Sequence, residues 1–105
     1  MPGGSSRRIA LDLNNPEFLE VFLRLEQDEL SQVAKSLDRL RGLEWGTVYR
    51  SKGLHWEAIA YIRTPTGATA YSIRLGGKCR AIVYRDGDIL RLLSLHPDHD
   101  SAYKR

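Results

Sequence analysis

The sequence predicts an α+β domain in which an N-terminal helical hairpin packs on one face of a twisted antiparallel β-sheet. Three observations predict it. Apolar residues between 16 and 40 recur at steps of three and four, and those after Gly42 recur at steps of two. The second half is also punctuated by Gly- and Pro-bearing turns. The length of 105 residues, with 42% apolar and 28% charged residues, suits one domain of ordinary globular composition. Residues 1–8 read as a flexible Gly- and Ser-rich tail and 9–105 as the single domain.

Residues 7–13 alternate weakly and read as a short strand. Asn15 before Pro16 starts the first helix, because the Asn side chain accepts from free amides of the first turn and Pro has no amide to satisfy. Phe18, Leu19, Phe22 and Leu25 form its apolar stripe. The next apolar residue is Leu30, a step of five that breaks the helical phase, and Asp28 with Glu29 reads as a second capped start. Leu30, Val33, Ala34, Leu37 and Leu40 carry the second helix to Gly42, which stands where a C-cap glycine belongs. Strands are predicted at 45–50, 55–63, 68–75, 79–85 and 88–95, with turns at 51–54, 64–67, Gly76-Gly77-Lys78 and Asp86-Gly87.

Turn length sets which residues share a face. A two-residue turn at Asp86-Gly87 pairs Arg85 with Asp88, Val83 with Leu90 and Ala81 with Leu92. A three-residue loop at Gly76-Gly77-Lys78 pairs Leu75 with Cys79 and keeps Arg80 off the apolar face, whereas a two-residue loop mixes it in, so three residues are preferred. The face then holds Tyr71, Ile73, Leu75, Cys79, Ala81, Val83, Leu90 and Leu92, and a four-residue loop at 64–67 adds Trp56, Ala58, Ala60 and Ile62. The opposite face collects His55, Glu57, Tyr61, Ser72, Arg74, Arg80, Tyr84 and Arg91 around Ile59, Ile82, Ile89 and Leu93. There Arg74 lies opposite Arg80 and Glu57 opposite Arg74, and two guanidiniums so close call for an anion.

The net charge of +3 hides an asymmetry: residues 14–44 carry seven acids against four bases, and residues 45–105 ten bases against five acids. The basic half suits phosphate or an acidic partner. No apolar run approaches the roughly 20 residues that span a bilayer, and the first residues have no apolar signal core, so a soluble cytoplasmic protein is expected. The single Cys79 excludes an internal disulfide and a cysteine-rich zinc site. His96-Pro97-Asp98-His99-Asp100 holds ligand-type side chains but reads as a turn with an Asp cap, so no metal site is expected.

A helical hairpin followed by this meander, with Tyr71-Ser72-Ile73-Arg74-Leu75, Gly77-Lys78-Cys79-Arg80-Ala81-Ile82-Val83-Tyr84, residues 89–95 and a closing His99-Asp100-Ser101-Ala102-Tyr103, resembles the RelE/ParE toxin superfamily of bacterial type II toxin–antitoxin modules. The likeness is strongest over residues 71–103. It implies an antiparallel sheet with helices on one face and a basic cleft on the other. In its ribosome-dependent RNase branch, basic residues of the central strands hold the scissile phosphate and a C-terminal Tyr or His assists proton transfer. By position, Arg74 and Arg80 match the central-strand basic sites and Tyr103 the C-terminal tyrosine, with His96 or His99 matching the histidine of other branches. Ser72 stands where many relatives carry a second lysine.

The activity implied is a metal-independent, cofactor-free mRNA endonuclease that inhibits translation. Attack by a 2′-hydroxyl needs a base, cations for the developing phosphate charge and an acid for the leaving 5′-oxygen. Arg74 and Arg80 supply forked donors, Glu57, His96 or His99 the base, and Tyr103 the acid or a stacking platform, with Ser72, Lys78, Arg85 and Arg91 as further RNA contacts. The implied partners are a cognate antitoxin, the ribosome and mRNA, and operator DNA through the antitoxin, with no membrane. The alternatives are a ParE-like gyrase inhibitor of the same fold and a plain RNA- or protein-binding α+β module.

Overall fold

The computed structural model describes residues 7–97. Their elements are β1 (Ala10–Asp12), α1 (Pro16–Phe22), α2 (Gln27–Leu40), α3 (Trp45–Tyr49), β2 (Glu57–Ile59), β3 (Ala70–Arg74), β4 (Arg80–Asp86) and β5 (Ile89–His96). The strands form one sheet in the order β1-β5-β4-β3-β2, with β1 parallel to β5 and the other neighbours antiparallel. The result is an α+β fold whose sheet is mixed at one edge.

Asn15 Oδ1 accepts from the Glu17 amide at 2.9 Å, and Pro16 opens α1 as the sequence predicts. Phe18 points from α1 into the core and is fully buried, with its ring 5.6 Å from that of Phe22. The chain turns over residues 23–26, so the step from Leu25 to Leu30 is a true break. α2 starts at Gln27 without a side-chain cap; Asp28 and Glu29 sit inside its first turn, where carboxylates meet the positive end of the helix dipole. Val33, Leu37 and Leu40 are its buried stripe. Gly42 follows at φ +89°, a conformation glycine enters without steric cost, and its amide donates to the Ile9 carbonyl at 3.2 Å, joining the helix end to β1.

β1 is fixed by a charge cluster as well as by its ladder. Arg91 donates from Nε to Asp86 Oδ2 at 2.9 Å and from Nη1 to Asp12 Oδ2, so β1, β4 and β5 share one guanidinium. The core lies between the hairpin and the sheet: Phe18, Val33, Leu37 and Leu40 meet Ile73, Leu75, Ala81, Val83, Leu90 and Leu92, all of them buried.

The structure corrects several expectations. Where a strand is expected at 45–50, Trp45–Tyr49 is helical: Trp45 and Val48 are buried together at helical spacing, and the Tyr49 ring lies 5.7 Å from that of Trp45. The strand expected at 55–63 shrinks to Glu57–Ile59, because a 3₁₀ turn at Lys52–Leu54 ends on His55 in the left-handed region, φ +51°, and extended structure begins only beyond it. Ala58 and Ala60 are exposed rather than part of the core face. β2 pairs Glu57 with Ser72, two residues from the expected partner Arg74. β4 and β5 pair Asp86 with Ile89, so the turn is Gly87-Asp88, Arg85 faces Leu90 and Val83 faces Leu92. The three-residue turn between β3 and β4 is as expected, with Arg74 opposite Arg80 and the Leu75 amide donating to the Cys79 carbonyl at 2.9 Å.

A β-bulge decides what β5 presents. The register shifts between Ile82 and Val83, so Ile82 opposes Ser94 and Val83 opposes Leu92, leaving Leu93 as the extra residue. Leu90, Leu92 and Leu95 are all buried as a result, and Ser94 and His96 turn to the face not covered by helices.

Candidate functional site

On the open face two rungs cross the three central strands. Ser72, Ile82 and Ser94 form one, and Arg74, Arg80 and His96 the next. Side chains two residues apart on a strand share a face, so the rungs stack into one surface, with Glu57 extending the first on β2.

Arg80 is the centre of this surface and is only 9% exposed. Its Nε donates to Ser72 Oγ at 2.7 Å, and its Nη2 donates to the His55 carbonyl at 3.1 Å and lies 3.7 Å from Glu57 Oε1. A guanidinium this buried must be compensated, and the left-handed turn at His55 aims its carbonyl for that purpose. Among the described residues Nη1 makes no hydrogen bond, so the three bonds found all fall on the Nε and Nη2 side of the guanidinium.

His96 is half-buried directly opposite Arg80, with its Nε2 3.0 Å from Ser94 Oγ. Burial holds its pKa below the ordinary histidine value, partly opposed by the charge of Glu17, so the imidazole is neutral at neutral pH. A neutral imidazole can accept a proton and a guanidinium can hold an anion. If His96 acts as the base, activity stays level at neutral pH and falls on acidification, with a midpoint below the usual histidine value of about 6.5. A pH–rate profile checks this, and a profile unchanged in His96→Gln contradicts it.

The other expected site residues are dispersed. Arg74, although opposite Arg80, is exposed and lines a separate groove of about 340 Å³ with Arg39, Leu40, Leu43 and Leu54. Lys78 is exposed in the β3–β4 turn. Arg85 is on the helix-covered face, its guanidinium 4.0 Å from the Trp45 ring centroid and donating to Tyr49 Oη at 2.9 Å. Arg91 is engaged by two carboxylates and adds no net positive charge. His99 and Tyr103 lie outside the described residues. The structure therefore brings together Glu57, Ser72, Arg80 and His96. Sequence reasoning missed Ser94 and the His55 carbonyl. The spacing of Leu90, Leu92 and Leu95, two then three, was the available signal for the bulge that turns Ser94 outward.

Among solved structures, the chain is similar to the archaeal RelE–RelB complex from Pyrococcus horikoshii OT3, with a TM-score of 0.55 over 88% of this chain and 94% of that one, at 18% sequence identity. The fold is RelE-like. No family model matches the sequence, and no curated protein matches it. In this RelE-like fold the helices cover one sheet face, and the Arg80–His96 rung lies on the other. Among the described residues no group of His, Cys, Asp and Glu side chains is placed to hold a metal ion, and no helix is long and apolar enough to cross a membrane.

Proposed function

We propose that this chain is the toxin of a type II toxin–antitoxin pair and acts as a ribosome-dependent mRNA endonuclease that inhibits translation. The observation that carries this reading is a buried guanidinium, its Nη1 without a hydrogen bond among the described residues, beside a neutral imidazole on the open face of a RelE-like sheet. His96 takes the proton of the attacking 2′-hydroxyl. Arg80 stabilises the charge that grows on the non-bridging phosphate oxygens as the 2′-oxygen–phosphorus bond forms and the bond to the 5′-oxygen breaks. Ser72 and the His55 carbonyl fix the guanidinium plane, and Glu57 moderates its charge. The proton for the leaving 5′-oxygen comes from the C-terminal segment, through Tyr103 or His99, and Arg74 and Lys78 steer the RNA backbone. The reaction needs no metal.

The archaeal relative is solved with RelB, which supports a cognate antitoxin as this chain's partner, with operator DNA reached through that antitoxin. β2 is a three-residue edge strand whose outer backbone groups are open to an added strand from such a partner. A site of action on the ribosome puts the protein in the cytoplasm.

Inducible expression in a bacterial host tests the reading. Incorporation of labelled amino acids should collapse after induction while DNA synthesis continues. A DNA-damage response with protein synthesis intact would point to a gyrase-directed toxin, and normal growth to a binding module.

A further inference from the structure

The groove that Arg74 lines lies between α2, the 3₁₀ turn at Lys52–Leu54 and the end of β3, and holds about 340 Å³. α2 contributes Ser36, Arg39 and Leu40, which share one helix face by their spacing of three and four. The β3–β4 turn closes on the same helix. Gly76 stands there at φ +102°, and a Cβ on it would sit 3.3 Å from Gln32 Cβ, so the turn rests against α2 and bounds the groove. Leu40 is buried and Leu43 and Leu54 are half-buried, which gives the groove an apolar lining. Ser36 and Ser51 add hydroxyls to it.

The charge in this groove has no counter-ion. Among the described residues Arg39 and Arg74 make no ion pair, whereas Arg7, Arg41, Arg80, Arg85 and Arg91 each have a carboxylate partner. Two guanidiniums over leucines call for an anion with an apolar body. A sugar–phosphate chain would supply the charge but leave the leucines nothing to bury. The volume falls in the roughly 300–1,000 Å³ range of small-molecule sites, and the lining is far smaller than the roughly 20–30 residues a side of a stable protein interface. We infer that the groove binds a small aliphatic carboxylate, its chain against Leu40, Leu43 and Leu54 and its carboxylate on the Arg39 and Arg74 guanidiniums. The site stands apart from the RNA-cleaving reading, since neither Arg80 nor His96 lines it.

The test follows backbone amide shifts of the isotope-labelled full chain on addition of octanoate, octanol or acetate, which offer the apolar body and the charge together, the body alone and the charge alone. Octanoate should shift the amides of Ser36, Leu43, Leu54 and Gly76 saturably, and the other two probes should bind about tenfold more weakly or worse. The double variant Arg39→Gln and Arg74→Gln changes only exposed side chains, so it should unfold at the wild-type temperature and bind octanoate no better than wild type binds octanol. Octanol binding as tightly as octanoate, or full octanoate affinity in the double variant, overturns the anion site. An absence of saturable shifts, or shifts confined to residues outside the groove, overturns the groove as a binding site. Should the double variant unfold early, the comparison of octanoate with octanol on wild type decides by itself.

Discussion

Arg80→Ala should lower the rate of mRNA cleavage on programmed ribosomes by about 10²–10³-fold, the scale seen when one preorganised donor to developing charge is removed. The loss is large because the guanidinium is fixed before substrate arrives: Ser72 Oγ and the His55 carbonyl hold two of its nitrogens, and Nη1 has no hydrogen bond among the described residues. The same substitution strips both acceptors of their donor, which costs about 1–3 kcal/mol for each one left buried and unpaired. Thermal unfolding of the variant must therefore accompany the kinetics. Arg80→Lys separates the two effects, since it keeps a charge but cannot span Ser72, His55 and a phosphate at once. It should stay folded and still lose most of the rate. A folded Arg80→Lys protein with wild-type cleavage would remove Arg80 from the site.

The largest expected effect on stability is at Phe18. Its side chain is fully buried between α1 and the sheet, and removal of a buried phenyl ring typically costs about 3–5 kcal/mol. Against a total of about 5–15 kcal/mol for a domain, Phe18→Ala should shift the urea midpoint far downward or abolish the cooperative transition. Phe18→Leu, which keeps most of the volume, should fall much less. Equal small shifts for both would contradict the packing of α1 against the sheet.

How far the fold was legible in the sequence depended on what each pattern constrains. At Gly76-Gly77-Lys78 the alternatives differed in parity, and only one kept Arg80 out of the apolar face, so the observed pairing of Arg74 with Arg80 was readable. At the β4–β5 turn, Asp86-Gly87 and Gly87-Asp88 leave the same residues on each face, so apolar patterning could not distinguish a shift of two. The β2–β3 pairing moved by two for the same reason, which placed Glu57 beside Ser72 instead of Arg74. Trp45–Tyr49 is five residues long, too short for periodicity to separate one helical turn from a strand. The site was legible in its central pair, Arg80 and Ser72, which follow from that parity. The partners of Arg91 and Arg85 were not legible, because a count of basic residues is blind to them: Asp12 reaches Arg91 from the far end of the chain, and Trp45 covers Arg85 from a helix the pattern did not show.

Primer extension on a reporter mRNA, translated or with its start codon removed, and incubated with wild type, Arg80→Lys or His96→Gln, brings the guanidinium and the imidazole under one readout. Cuts confined to the translated message, strong with wild type and largely lost in both folded variants, are the predicted result. Equal cutting of the untranslated RNA, or wild-type cutting by the two variants, would contradict a ribosome-dependent nuclease built on Arg80 and His96.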